Sequence, residues 1–184
     1  KLDRVAGIRG RVGDFTAPEL ADIDLGGEGF VTLREVLTEF PSARFNIDVK
    51  DGRAIADVVS AITETNAHDR VLVSSFSATR RRRALAELPR VASSAASTEF
   101  VRILASFRLG ITPPLPRIQA LQIPSSAYGI STITPTLVQK YHQLGLEVHV
   151  WTVNDEAEMR RLFALRVDGI VTDRADIAMR VIGS

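Results

Sequence analysis

The sequence predicts a parallel α/β protein: a (β/α) barrel of TIM type, here an incomplete barrel of about six βα units. Three observations carry that expectation. Short segments with apolar period two alternate with segments whose apolar residues recur at helical spacing. The alternation repeats at intervals of roughly 20–28 residues, a usual length for a βα unit. No Gly-rich phosphate loop follows any of the strands, which weakens the dinucleotide-binding and P-loop alternatives within the open doubly wound class. A complete barrel takes eight units and about 250 residues, so a chain of 184 residues has room for fewer. An open sheet would expose strand edges that barrel closure removes.

Composition bounds the class. With 184 residues and 45% apolar content, the chain suits one domain with a sizeable core. Residues 1–30 read as a long loop or insertion, and 31–184 carry the six βα units. The net charge is +1 with acids and bases interspersed, so there is no electrostatic footprint for nucleic acid. Cysteine is absent, which excludes a disulfide framework, a thiolate nucleophile and a zinc–sulfur site. No stretch approaches the roughly 18 consecutive apolar residues of a membrane span. A cytoplasmic location is the corresponding expectation. Because Lys1 is not Met, the true N-terminus is expected further upstream.

Each element has its own warrant. Gly7, Gly10, Gly13, Pro18, Gly26, Gly27 and Gly29 punctuate the first thirty residues, leaving at most a short helix near Ala17–Ile23. Thr32 and Glu35 have capping-box spacing, and Val36, Leu37 and Phe40 give the helix that follows its apolar face. Phe45, Ile47 and Val49 alternate with Asn46 and Asp48 in the first strand. Ala54–Thr65 is a helix, Arg70–Ser75 a buried-type strand, and Ser77 caps a helix through Leu88. The run Arg80 to Arg83 in that helix has no interleaved aromatic and reads as a solvated face rather than a nucleic-acid site. Val91–Ala95 is a weaker strand, Thr98–Phe107 a helix, Thr112–Pro116 a loop and Ala120–Ile123 a strand. Thr134 and Pro135 start a helix that Gly145 ends. Leu146–Trp151 is the next strand, Asn154 or Asp155 caps a helix to Leu165, Gly169–Thr172 is a strand, and Asp173 caps the last helix.

The stretch Arg44–Asp51 organises the chemistry. Asp48 and Lys50 are two residues apart on the polar side of a strand, near the C-terminal end where parallel α/β proteins keep their sites. The bland alternative is a salt-bridged pair on a solvated strand.

In order along the chain, Leu2–Gly7, Asn46–Lys50, Ser75-Phe76, Val150–Asn154 and Gly169–Asp173 resemble the motifs of glycerophosphodiester phosphodiesterases. The resemblance covers essentially the whole chain. It implies a metal-dependent TIM barrel that hydrolyses glycerophosphodiesters to an alcohol and glycerol 3-phosphate, a function in lipid and glycerol metabolism. It also implies Mg2+ or Ca2+ as cofactor, with Asp48 at the position of a metal-ligating glutamate. Asp48 is one methylene shorter than that glutamate, so a direct or a water-bridged contact are both open. Lys50 then screens the substrate phosphate, Trp151 lines the pocket, and Phe76 shapes it or packs beneath it.

The family's His-Arg-Gly motif, Glu-x-Asp pair and second histidine are expected upstream of Lys1; Ile8-Arg9-Gly10 is not that motif. His149 alternates with Val148 and Val150 and is a candidate for the barrel interior, while His68 and His142 sit near helix ends at the surface. None of the three is assigned to catalysis, so this chain alone is expected to be weakly active or inactive. The rival readings are a non-catalytic binder of a phosphorylated ligand and another phospholipase-type barrel phosphodiesterase. The expected partner is a small glycerophosphodiester. Two open sheet edges also raise the prospect of a homo-dimer or swapped assembly.

Overall fold

A computed structural model describes residues 2–27, 29–115, 117–127 and 129–183. Pro116, the last residue of the expected Thr112–Pro116 loop, lies outside them. The first thirty residues hold only short helical pieces, α1 (Asp3–Ala6), a 3-10 turn at Val12–Asp14 and α2 (Ala17–Ala21). Regular alternation begins with α3 (Leu33–Glu39). Its capping box forms as the spacing demands: Thr32 Oγ1 accepts from the Glu35 N–H at 3.2 Å, and Glu35 Oε2 accepts from the Thr32 N–H at 2.7 Å.

Strands β1 (Phe45–Asp48), β2 (Val71–Ser74) and β3 (Ala92–Ser93) form one parallel sheet in that order. A second parallel sheet has the order β4 (Ala120–Ile123), β7 (Glu147–Val150), β8 (Gly169–Ile170). Between β4 and β7 lies an antiparallel hairpin of β5 (Ser126–Ala127) and β6 (Ile130–Ser131). Nothing in the sequence pattern announced it, because two-residue strands are too short to show a period. A bridge between Ser94 and Ala120 joins the two parallel sheets, supported by Gln119 N–H to Ser93 O and Ala95 N–H to Ala120 O, both 2.9 Å. The parallel strands therefore follow one another in chain order. Among the described residues the wall does not close: β1 pairs only with β2, and β8 only with β7.

The helices between them are α4 (Ile55–Glu64), α5 (Ala78–Glu87), α6 (Ser97–Leu109), α7 (Pro135–Gln143), α8 (Glu156–Ala164) and α9 (Ala175–Ile182). Ser77, Thr134 and Asp155 cap α5, α7 and α8 through their side chains, so Asp155 rather than Asn154 does that work. Gly145 takes φ 71° just past α7, where a side chain would be strained. Two expectations fail. Asp173 does not cap α9, whose N-cap is Arg174 without a side-chain bond, because the Asp173 carboxylate accepts instead from Asn154 Nδ2. The arginine run is not wholly solvated either. Arg81 is fully buried and pairs with Glu99 of α6 at 2.7 Å, since position 81 falls on the α5 stripe that also buries Ala84 and Leu85.

Two apolar clusters hold the helices against the strands. One joins Leu37, Val49, Ile62, Val71, Val73 and Leu85, and the other Ile103, Leu121, Val138, Val148, Val150 and Leu162. These strand residues occupy alternate positions, so the residues between them face the other side of the sheet.

Candidate active site

That other side carries polar groups. Asn46 and Asp48 of β1, Ser74 of β2 and Gln122 of β4 line a cavity of about 1110 Å³, together with Ser94, Phe76 and Trp151. Strand register places them there. Asp48 pairs with Ser74, and Gln122 with His149, so residues of like parity share the face in adjacent parallel strands. Trp151 directly follows β7 and Phe76 lies two residues past the end of β2, at the C-terminal rim of the sheet where such folds keep their chemistry.

Asp48 Oδ2 accepts from Lys50 Nζ at 2.8 Å. Its other oxygen, Oδ1, is buried with no hydrogen-bond partner. Leaving such an acceptor unsatisfied costs about 1–3 kcal/mol, the kind of cost a fold bears where a ligand supplies the missing partner. Lys50 is arranged differently: its side chain is 79% exposed against 27% for Asp48, and it is not among the residues lining the cavity. An ion pair this exposed is worth about 0–1 kcal/mol, so Lys50 can exchange Asp48 for an incoming anion at small cost. Beside it, side-chain and backbone hydrogen bonds from Arg53 hold the Asp51 carboxyl down to about 2. Arg80 Nη1 donates to Val49 O at 3.1 Å and Ser75 Oγ at 3.3 Å, tying α5 to the same rim.

The aromatic walls form a unit. Phe76 and Trp151 meet edge to face, with ring centroids 6.1 Å apart and planes at 77°, a favourable quadrupole arrangement. Phe76 is 62% exposed, so it is wall rather than core. The Trp151–Thr152 peptide is cis. Beyond it, Asn154 Oδ1 accepts from Thr172 Oγ1 at 3.0 Å and from the Asp173 N–H at 2.9 Å. The segments after β7 and β8, two separate motifs in the sequence, are thereby one hydrogen-bonded rim, joined through Asn154, which the sequence offered as the last residue of one motif and as a possible cap.

The histidines stand apart from Asp48's unpaired oxygen. His142 Nε2 lies 2.9 Å from Asp168 Oδ2, and His149 Nε2 lies 3.2 Å from Glu147 Oε2. By its register with Gln122, His149 shares the polar face, but neither it nor His142 nor the half-buried His68 is among the residues lining the cavity. A divalent cation needs several oxygen donors, and the described residues bring together no group of three or more His, Asp or Glu side chains that could hold one. Asp48 supplies one suitable oxygen; the described residues do not complete a metal site.

Sequence reading missed the apolar part of the cavity lining. Phe100, Val101, Leu104, Phe107 and Leu109 of α6 and Leu137 of α7 contribute to it. The signal was present, since α6 carries apolar residues on more than one stripe, including Val101 at 51% and Leu109 at 73% exposure.

Comparison with known proteins is consistent along the whole chain. A model of the "Glycerophosphoryl diester phosphodiesterase family" matches residues 1–177. A Mycobacterium tuberculosis protein named "Probable glycerophosphodiester phosphodiesterase 2" is 41% identical over 182 residues, covering 96% of this chain and 69% of that protein. A glycerophosphodiester phosphodiesterase of Caldanaerobacter subterraneus is 26% identical over 196 residues, 98% of this chain and 76% of its own. Among solved structures, a glycerophosphodiester phosphodiesterase of Agrobacterium tumefaciens superposes with TM-score 0.76 at 20% identity, over 100% of this chain and 78% of that one. A phosphodiesterase of Oleispira antarctica, in complex with the product sn-glycerol-3-phosphate, gives TM-score 0.72 at 21% identity, over 100% and 76%. At such identities the structures establish the shared α/β fold.

Proposed function

This chain belongs to the glycerophosphoryl diester phosphodiesterase family, and on that premise we propose that its cavity grips a glycerophosphodiester for hydrolysis to an alcohol and glycerol 3-phosphate. The wall itself is then the six-unit portion of a TIM-type (β/α) barrel, its polar face the barrel interior. The observation that carries the reading is the unpartnered, buried Oδ1 of Asp48, a residue that lines the same cavity as Phe76 and Trp151 at the C-terminal rim.

Roles follow from chemistry. A phosphodiester anion repels nucleophiles until its charge is screened. Lys50, weakly held and exposed beside the cavity-lining Asp48, is the cation that would reach the phosphate. Trp151 and Phe76 confine the bound diester and limit water. Asp48 presents its free oxygen to a cation, Mg2+ or Ca2+, as one ligand of a site that other groups would complete. Acid–base work falls to groups that the described residues do not provide, since hydrolysis needs a proton donor and acceptor at the reacting oxygens and the three histidines are elsewhere.

The experiment is a titration with sn-glycerol 3-phosphate, followed by the fluorescence of Trp151, the sole tryptophan. A saturable change, weakened in Lys50→Met, is expected; no change in the unmodified chain overturns the reading. Turnover of glycerophosphocholine by the 184-residue chain with added Mg2+ or Ca2+ is expected to be slight. Rates of about 1–10³ s⁻¹, usual for enzymes, would overturn the division of roles.

A further inference from the structure

Among the described residues, two that line the cavity carry a buried polar atom with no partner: Asp48 through Oδ1 and Gln122 through Nε2. Hydroxyls around them are already spent on the protein. Ser75 Oγ donates to Val49 O at 2.8 Å, Ser131 Oγ to Ile133 O at 3.1 Å, and Thr132 Oγ1 to Pro124 O. Gln122 differs in kind from Asp48, because an amide nitrogen only donates and carries no charge.

The amide is held by one end. Ser94, only 1% exposed, donates from Oγ to Gln122 Oε1 at 3.3 Å, which leaves Nε2 as the free end. His149, opposite Gln122 in the register of β4 and β7, takes Glu147 as its own partner and does not satisfy that nitrogen. A buried donor without an acceptor costs about 1–3 kcal/mol, a cost that a ligand oxygen in the cavity would remove. Position decides which oxygen. β1, which carries Asp48, and β4, which carries Gln122, are three strands apart in the wall. Neighbouring strands lie about 4.8 Å apart, so the separation is roughly 14 Å along the sheet. A phosphate held at Lys50, on the β1 side, leaves Gln122 to the part of the ligand on the β4 side.

We propose that Gln122 is a specificity-determining residue: its Nε2 donates to a hydroxyl oxygen of the substrate's glycerol portion, while the phosphate stays at the Asp48–Lys50 end. The proposal rests on the phosphodiesterase reading and adds which half of the diester is recognised. A hydroxyl oxygen has lone pairs to accept such a bond, whereas a quaternary ammonium head group has none and carries only positive charge. The glycerol therefore lies on the β4 side, and the alcohol that leaves is the part Gln122 does not touch. A site built to bond a hydroxyl rejects an analogue lacking it, because its own donor is then left unpaired.

Calorimetric titration of the 184-residue chain tests it with sn-glycerol 3-phosphate and propyl phosphate, the same monoester without hydroxyls. The unmodified chain is expected to bind glycerol 3-phosphate about tenfold more tightly, the order that one hydrogen bond to a buried donor supplies. Gln122→Leu keeps the bulk of the side chain and lacks the donor. It should bring glycerol 3-phosphate down to the affinity of propyl phosphate without weakening propyl phosphate. Ser94→Ala, a small change at a buried position, releases the amide and should shrink the preference by a smaller factor. Equal affinities in the unmodified chain, a preference that survives Gln122→Leu, or an equal loss of both ligands in that variant would each overturn the proposal and leave the phosphodiesterase reading standing. Should Gln122→Leu not fold, an undiminished preference in Ser94→Ala overturns it. Failure of both ligands to bind the unmodified chain would overturn the two together.

Discussion

Asp48 and Lys50 make opposite contributions to stability and to binding, and that opposition can be measured. Asp48 carries a buried unpartnered oxygen, so Asp48→Asn removes a desolvated charge. Its melting temperature is expected not to fall, while cation-dependent ligand binding does. Lys50→Met gives up only an exposed pair and should change stability by less than about 1 kcal/mol, yet weaken glycerol 3-phosphate binding. Were the two residues merely each other's partners, a double-mutant cycle on stability would show strong coupling and ligand binding would be indifferent. The exposed carboxylates act differently. Arg53 lowers Asp51 from an ordinary 3.8 to about 2, and Arg174 does the same for Asp176. A depressed carboxyl contributes stability that is present above its unfolded value and lost as pH falls through the folded one. Melting temperature should therefore drop between pH 3.8 and about 2, and less steeply in Asp51→Asn/Asp176→Asn.

At the scale of elements, the α5–α6 joint depends on Arg81. Its guanidinium donates to Glu99 Oε1, to Ser93 Oγ and to Arg117 O, binding two helices, the end of β3 and the loop before β4. Removing one partner of a buried pair leaves the other charge unsolvated, at a cost of about 3–5 kcal/mol. Arg81→Met is expected to lower the urea midpoint accordingly, whereas Arg81→Met/Glu99→Leu should recover much of the loss. The second joint is Asn154, which links the segments following β7 and β8. Asn154→Ala should loosen Trp151, visible as a changed tryptophan emission, with stability reduced by about 1 kcal/mol per lost hydrogen bond.

For the whole molecule, strand edges set the expectation. Among the described residues β1 and β8 each present one unpaired edge, and such edges template pairing with other chains unless covered. The 184-residue chain is expected to self-associate as its concentration rises, through edge pairing or exchange of βα units. Light scattering that shows a monomer with cooperative unfolding across that range would refute this. No helix among the described residues is long and apolar enough to cross a membrane.

The sequence by itself determined the parallel strands, the helices between them and their order, though not the β5–β6 hairpin. Phe45-Asn-Ile-Asp48 alternates because a strand has period two; Thr32, Ser77, Thr134 and Asp155 cap because their side chains reach backbone N–H groups only three residues away. Such interactions are local and leave a local signature. It also placed Asp48, Phe76 and Trp151 near strand ends, hence on one rim. Tertiary structure alone decided the rest. Whether Arg81 meets solvent or Glu99 depends on a helix 18 residues away. Whether Asp173 caps its helix depends on Asn154, 19 residues before it. The apolar part of the cavity lining exists because residues of α6 such as Val101 and Leu109 remain uncovered. No spacing within the helix encodes that, since burial is settled by what packs against a face and not by the face itself.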